Sequence, residues 1–148
     1  MRRKPKNQFS TVIPAYSVNE AFARMAVSAF ISMIDPRVNE LADMKTAVSE
    51  AVTNAIVHAY RGEDRRNEKY VYISGELYDD RLVVITVRDK GKGIEDVKKA
   101  MEPLFTTASD EERSGMGFTV MESFTDKVKV RSSPGKGTSV RLYKKFSV

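Results

Sequence analysis

Cysteine is absent from this 148-residue chain, which excludes disulfides and any thiolate-bound metal. That fits a reducing compartment, and a cytoplasmic location is expected. Histidine occurs once, at His58, so no second histidine or cysteine completes a zinc-type site. No apolar run approaches the roughly 18 residues of a membrane span. The basic start, MRRKPKNQF, lacks the apolar segment of a signal peptide, and no membrane partner is expected. Linkers, internal repeats and low-complexity stretches are missing as well, which predicts one domain over residues 1–148.

What is present is a globular balance: 41% apolar and 30% charged residues, with a net charge of +5. A positive balance suits a nucleic acid, an acidic protein or simple solubility. The cations look scattered, apart from Arg2, Arg3, Lys4 and Lys6 at the start and Lys144 and Lys145 near the end. No aromatic–basic alternation marks a nucleic-acid surface, so a solvated basic surface is the favoured reading and no direct nucleic-acid contact is expected.

Gln8 to Ile13 reads as a short strand stopped by Pro14, and Ser17-Val18-Asn19-Glu20 has the form of a capping box. Phe22, Met25, Ala26, Ala29, Phe30 and Met33 follow at the spacing of a helix face. That helix stops near Asp35-Pro36, and a second is predicted from about Val38 to Tyr60. Its apolar side is Leu41, Met44, Val48, Val52, Ala55 and Ala59. Arg61 to Lys69 reads as a charged loop. The period then changes to two: Val71, Ile73 and Leu77 alternate with polar residues, Asp79-Asp80 turns, and Leu82 to Val87 is a nearly continuous apolar strand. A short helix is expected over Ile94 to Met101 and another over Phe118 to Phe124. A hairpin of Val128–Ser132 and Thr138–Tyr143 comes last, around Ser133-Pro134-Gly135-Lys136-Gly137. Neighbouring strands with short turns predict a two-layer α/β (α+β) sandwich, with helices on one face of a mainly antiparallel sheet.

Three segments have chemistry to offer. In SEAVTNAIVHAY, Glu50, Asn54 and His58 fall four apart and stack on one helix face, among the small residues Ala47 and Ala51. A carboxylate there can deprotonate a hydroxyl, and an amide oxygen can ligate Mg²⁺, which often keeps waters and leans on substrate phosphates. A solvated polar stripe is the plainer alternative. Asp89-Lys90-Gly91-Lys92-Gly93 comes directly after a buried strand; its aspartate can accept a hydrogen bond while the glycines let the backbone approach a flat ligand. Taken alone it is equally a strand-to-helix turn. Gly115-Met116-Gly117 precedes a helix whose free N–H groups suit phosphate oxygens, with Arg113 and Ser114 beside it; alone, a plain glycine-rich helix entry explains it as well. Neither a P-loop nor a G-x-G-x-x-G after a strand is present.

The order of these segments, with Gly137-Thr138 in the late hairpin, closely resembles the nucleotide-binding fold of gyrase-type ATPases, Hsp90, histidine kinases and MutL. SEAVTNAIVHAY, VRDKGKGI, EPLFTT and ERSGMGFTVMESFTDKV look most like the bacterial anti-sigma factors that are also serine kinases, in particular the anti-sigma-F factors of spore formers. The resemblance implies ATP and Mg²⁺ between the helices and a lid. It makes Glu50 the catalytic base, Asn54 the Mg²⁺ ligand and Asp89 the acceptor for the adenine amino group, with Thr138 nearby. Gly91 and Gly93 would let the base pack on the loop. Ser114, Gly115, Met116 and Gly117 would wrap the phosphates, helped by Arg113, and Thr106 and Thr107 would belong to the lid. Lysine tends to come after the PLFTT run in relatives, where this chain has Ala108-Ser109.

The function implied is double: binding and silencing a sigma factor, and phosphorylating a serine of its anti-anti-sigma antagonist, as a homodimer. Arg24 on the first helix is the candidate partner contact, or equally a solvated arginine. An ATP-binding sequestering regulator without phosphate transfer is the alternative. The catalytic half of a histidine kinase fits poorly, because His58 lies inside the nucleotide helix and no phosphoacceptor histidine precedes it.

Overall fold

The computed structural model describes residues 3–60, 69–102 and 117–148. Alternating burial along the strands dictates the architecture. β1 (Asn7–Pro14), β2 (Tyr70–Leu77), β3 (Leu82–Asp89), β4 (Lys127–Ser133) and β5 (Gly137–Lys145) make one sheet in the order β1-β2-β3-β5-β4, every neighbouring pair antiparallel. Val71, Ile73 and Leu77 on β2, Val83, Ile85 and Val87 on β3, and Val140 and Leu142 on β5 are buried on one face. The residues between them point the other way, as a period of two requires. Helices α1 (Asn19–Ser32), α2 (Val38–Thr53) and α4 (Phe118–Phe124) close the buried face; α3 (Val97–Ala100) is one turn, capped by Asp96. The expected two-layer α/β sandwich is the observed one.

α2 is the central helix. Met44, Ala47, Val48, Ala51 and Val52 are buried, so the small residues are where neighbouring elements come close. The helix does not run regularly to Tyr60, as its apolar spacing predicts. After Thr53 it widens into a five-residue π-helical turn, Asn54–His58, in which Ala59 N–H reaches back to Asn54 O at 2.9 Å. Such turns occur mostly at functional sites.

α1 departs from expectation in two ways. The capping box is not used: Val18 precedes the helix with no side-chain cap, and Asn19 instead donates to Pro14 O at 2.9 Å. The buried stripe is also rotated. Ala23, Val27, Phe30 and Ile31 face the core, whereas Phe22, Met25 and Met33 are 52%, 65% and 65% exposed. Both sets obey helical spacing and share Phe30; Ala23, Val27 and Ile31 turn inward because that side packs against α2 and the sheet. Phe30 also meets the Phe9 ring at 4.8 Å, a burial that contributes about 1.5–3 kcal/mol.

Gly75 in β2 is occupied space for its neighbours. A Cβ there would lie 2.5 Å from the Phe9 ring and 3.1 Å from the Ile85 methyl. Gly75→Ala is expected to lower stability by about 1–3 kcal/mol through overpacking, read as a shift of the urea midpoint. Its position far along the sheet predicts unchanged nucleotide affinity in the folded fraction.

Candidate functional site

Glu50 lies near the C-terminal end of α2, and its neighbour in space is Gly117, the residue that opens α4. Gly117 has φ +57°, and a Cβ on it would stand 2.5 Å from Glu50 Oε2 and 3.3 Å from Glu50 Cβ. Glycine is required there twice over, for the left-handed backbone and for the close approach. Burial alone pushes the Glu50 carboxyl above the ordinary carboxylate range. The carboxylate therefore packs against the residue that opens α4, is partly stripped of water, and is a stronger base than an exposed glutamate.

Asn54 comes one helical turn later, at the first position of the π-helical turn. Its Oδ1 is buried and accepts no hydrogen bond among the described residues, although the residue has other interactions. The donor set of Glu50 and Asn54 is all oxygen, which fits Mg²⁺ and not a soft metal. No group of three carboxylate, histidine or cysteine side chains among the described residues could hold a metal alone. A cation held here would have to share its ligands with substrate phosphates and water.

The π-helical turn connects this end of the site to the other. Ala59 carries its carbonyl to Lys92 N–H, 2.8 Å away, and Gly91 packs so tightly on the same carbonyl that a Cβ would collide with it. Tyr60, buried at the end of the helical segment, donates its hydroxyl hydrogen to Tyr70 O at 2.6 Å and accepts from Lys90 N–H at 2.9 Å. The loop after β3 is thus fastened to the helix by backbone and by a phenol.

Asp89 ends β3 with only 6% of its surface exposed. Its Oδ1 accepts from Gly91 N–H at 2.9 Å and from Thr138 N–H at 3.2 Å; Oδ2 takes no hydrogen bond among the described residues. Burial raises the Asp89 pKa, and the two backbone donors act against that rise. One oxygen fixes the loop and the other is left for a ligand donor. Gly137 fits against the Asp89 carbonyl, and Gly93, at φ +78°, against the Ser133 carbonyl. Ser132 joins the same corner: its hydroxyl accepts from Ile94 N–H at 2.7 Å and lies 2.8 Å from the Thr138 hydroxyl.

The structure therefore brings Glu50, Asn54, Gly91, Gly93, Asp89, Gly117 and Thr138 into one continuous chain of contacts. Thr106, Thr107, Arg113, Ser114, Gly115 and Met116 lie outside the described residues. Arg24 is elsewhere, half exposed on α1, with Glu20 Oε1 at 3.8 Å. Tyr60 and Ser132 are evident only in three dimensions. Tyr60 sits on an apolar helical period and Ser132 in a hairpin, and both act on loops distant in sequence.

Residues 13–144 match the family described as histidine kinase-like ATPase domain. The chain is 50% identical over 143 residues to an anti-sigma F factor of Clostridium botulinum (strain Eklund 17B / Type B), covering 97% of each chain. It is 51% identical over 142 residues to the anti-sigma F factor of Bacillus subtilis (strain 168), covering 96% of this chain and 94% of that one. Among solved structures, the RsbU and RsbW domains of Rv1364c from Mycobacterium tuberculosis share the fold with a TM-score of 0.71 at 20% identity. That match covers 99% of this chain and 34% of the other.

Proposed function

We propose, from the premise that the chain belongs to the anti-sigma F factor family within the histidine kinase-like ATPases, that it is an ATP-dependent anti-sigma factor and serine kinase. It binds a sigma factor and transfers the γ-phosphoryl group of ATP to a serine of an anti-anti-sigma antagonist. The observation that carries the reading is the uncommitted Asp89 oxygen at one end of a contact chain whose other end is the half-buried Glu50 carboxylate packed against Gly117.

Asp89 Oδ2 accepts from the adenine amino group, while Gly91 and Gly93 leave room for the flat base. Backbone N–H groups at the start of α4 face the phosphates. Asn54 would hold Mg²⁺, which supplies charge neutralisation between phosphate oxygens when bound. Glu50 accepts the proton of the attacking serine hydroxyl, and its raised pKa improves it as a base. Phosphoryl transfer asks mostly for positioning and charge stabilisation, and these groups supply both.

A homodimer is supported by two neighbouring features. β1 ends the sheet as an eight-residue edge strand with no charged side chain, an edge that invites pairing. Beside it, α1 exposes Phe22, Met25 and Met33. Arg24 on the same helix is placed to meet a partner.

Incubation with labelled ATP, Mg²⁺ and a candidate anti-anti-sigma protein tests the reading: phosphate is expected on a serine of that protein. Sigma binding without any transfer would favour the sequestering regulator. Asn54→Ala is expected to raise the Mg²⁺ concentration for half-maximal nucleotide binding by about tenfold or more. Binding measured in chelator should change little.

A further inference from the structure

The cations that look scattered along the sequence are gathered by the fold. Arg88 on β3, Arg141 and Lys145 on β5, and Lys127, Lys129 and Arg131 on β4 all point to the sheet face that the helices leave bare. Glu76 on β2 is the one carboxylate among the described strand residues of that face, and it is taken by Arg141 at 3.3 Å. Lys145 leans towards Asp80 at 3.9 Å. Lys127, Lys129 and Arg131 are exposed and have no carboxylate partner among the described residues.

Those three lie on β4, the strand that ends the sheet opposite β1. The two edges differ in kind. β1 carries no charge; β4 carries cations at three alternate positions, 127, 129 and 131, about 7 Å apart at the strand rise. A row of like charges repels a second β4 edge, the usual protection of an edge strand. The same row attracts an incoming strand with carboxylates at every second position, because opposite charges facing each other across a ladder are favourable. Such a strand would also satisfy the open backbone groups of β4.

Nucleic acid is the poorer fit. Single-strand binding uses free aromatic faces for base stacking. Tyr143 has Arg141, Lys127 and Lys129 around its ring at 5.4, 5.9 and 5.9 Å, and Tyr72 has Arg88 and Lys90 at 4.9 and 5.0 Å. Both rings are occupied by cations.

We infer that the β4 edge and the basic face beside it form a docking surface for an extended acidic segment of a protein partner, which adds to the sheet with alternate carboxylates against Lys127, Lys129 and Arg131. Arg88 and Arg131 line a cleft that also holds Asp89 and Thr138, whereas Lys127 and Lys129 stand farther along β4; the inference does not depend on phosphate transfer at the nucleotide site.

The test uses the full chain and three fluorescent probes. One peptide alternates glutamate with valine and threonine, a second has the same composition with its glutamates clustered, and the third is a single-stranded oligonucleotide of equal charge. The alternating peptide is expected to bind about tenfold or more tightly than either competitor, with added protection of β4 amides from hydrogen exchange. The charge-reversed variant K127E/K129E should lose that peptide, gain one alternating lysine with valine, and bind ATP as before, which shows it is folded. Equal binding of the two acidic peptides, tighter binding of the oligonucleotide, or unchanged β4 exchange would each overturn the inference.

Discussion

Glu50→Gln is expected to abolish phosphate transfer while ATP still binds. General bases contribute about 10²–10⁴-fold to rate, and glutamine keeps the shape against Gly117 without accepting a proton. Single-turnover transfer from labelled ATP to the serine acceptor, set against equilibrium ATP binding, separates the two effects. Transfer at the wild-type rate would remove Glu50 from the mechanism. Stability should move the opposite way. Because burial raises the Glu50 pKa, the folded state keeps its proton to higher pH than the unfolded chain. Folding stability then falls as pH rises from the unfolded value, about 4.3, through the raised folded value. Glutamine escapes that loss. The variant should therefore melt higher than wild type at neutral pH, and the gap should close below the ordinary carboxylate range. An activity loss with a stability gain is the signature of a functional residue held under strain by its surroundings.

Asp89 carries the second large effect. Asp89→Ala removes the acceptor for both Gly91 N–H and Thr138 N–H as well as the oxygen left for the base. Each unpaired buried donor costs roughly 1–3 kcal/mol, so both stability and ATP affinity should fall, the affinity by at least about tenfold. Asp89→Asn separates the two. It can keep an oxygen towards the loop while presenting an NH₂ group where the adenine amino group would donate. ATP affinity should drop with little loss of stability, and inosine triphosphate, which has an acceptor in place of that amino group, should lose less. Calorimetric titration with both nucleotides measures this. Unchanged ATP affinity in Asp89→Asn would place the base elsewhere.

The parts of this site that can be read from the sequence are those whose chemistry is local. Asp89 stands at the end of an apolar strand with two glycines behind it, and each of those features has a direct structural cause. Glu50 and Asn54 share a helix, so their spacing alone puts them together. Tyr60 is hidden because its partners, Tyr70 and Lys90, belong to other elements. A phenol on an apolar period reads as core. The inward face of α1 escapes for a related reason: Phe22, Met25 and Met33 form as good a stripe as Ala23, Val27, Phe30 and Ile31. Only the packing against α2 and the sheet chooses between them. The basic sheet face shows the same limit. Lys127, Lys129 and Arg131 alternate visibly, but Arg88 and Arg141 join them only through strand order. The π-helical turn is not visible in the sequence, because Ala55 and Ile56 continue the apolar period of α2 as a regular helix would.

That widened turn sets a ruler between the two halves of the pocket. One residue more than a regular coil needs is stored between Asn54 and Ala59. Excising Val57, which faces solvent, would let the coil tighten with the Ala59 N–H still on the Asn54 carbonyl, so Ala59 and Tyr60 would hold their direction. A regular coil of unchanged length would instead turn both by about 100° around the axis, and the Ala59 carbonyl and the Tyr60 hydroxyl would miss Lys92 and Lys90. The spare link is what keeps the Asp89 loop in phase with Glu50 and Asn54.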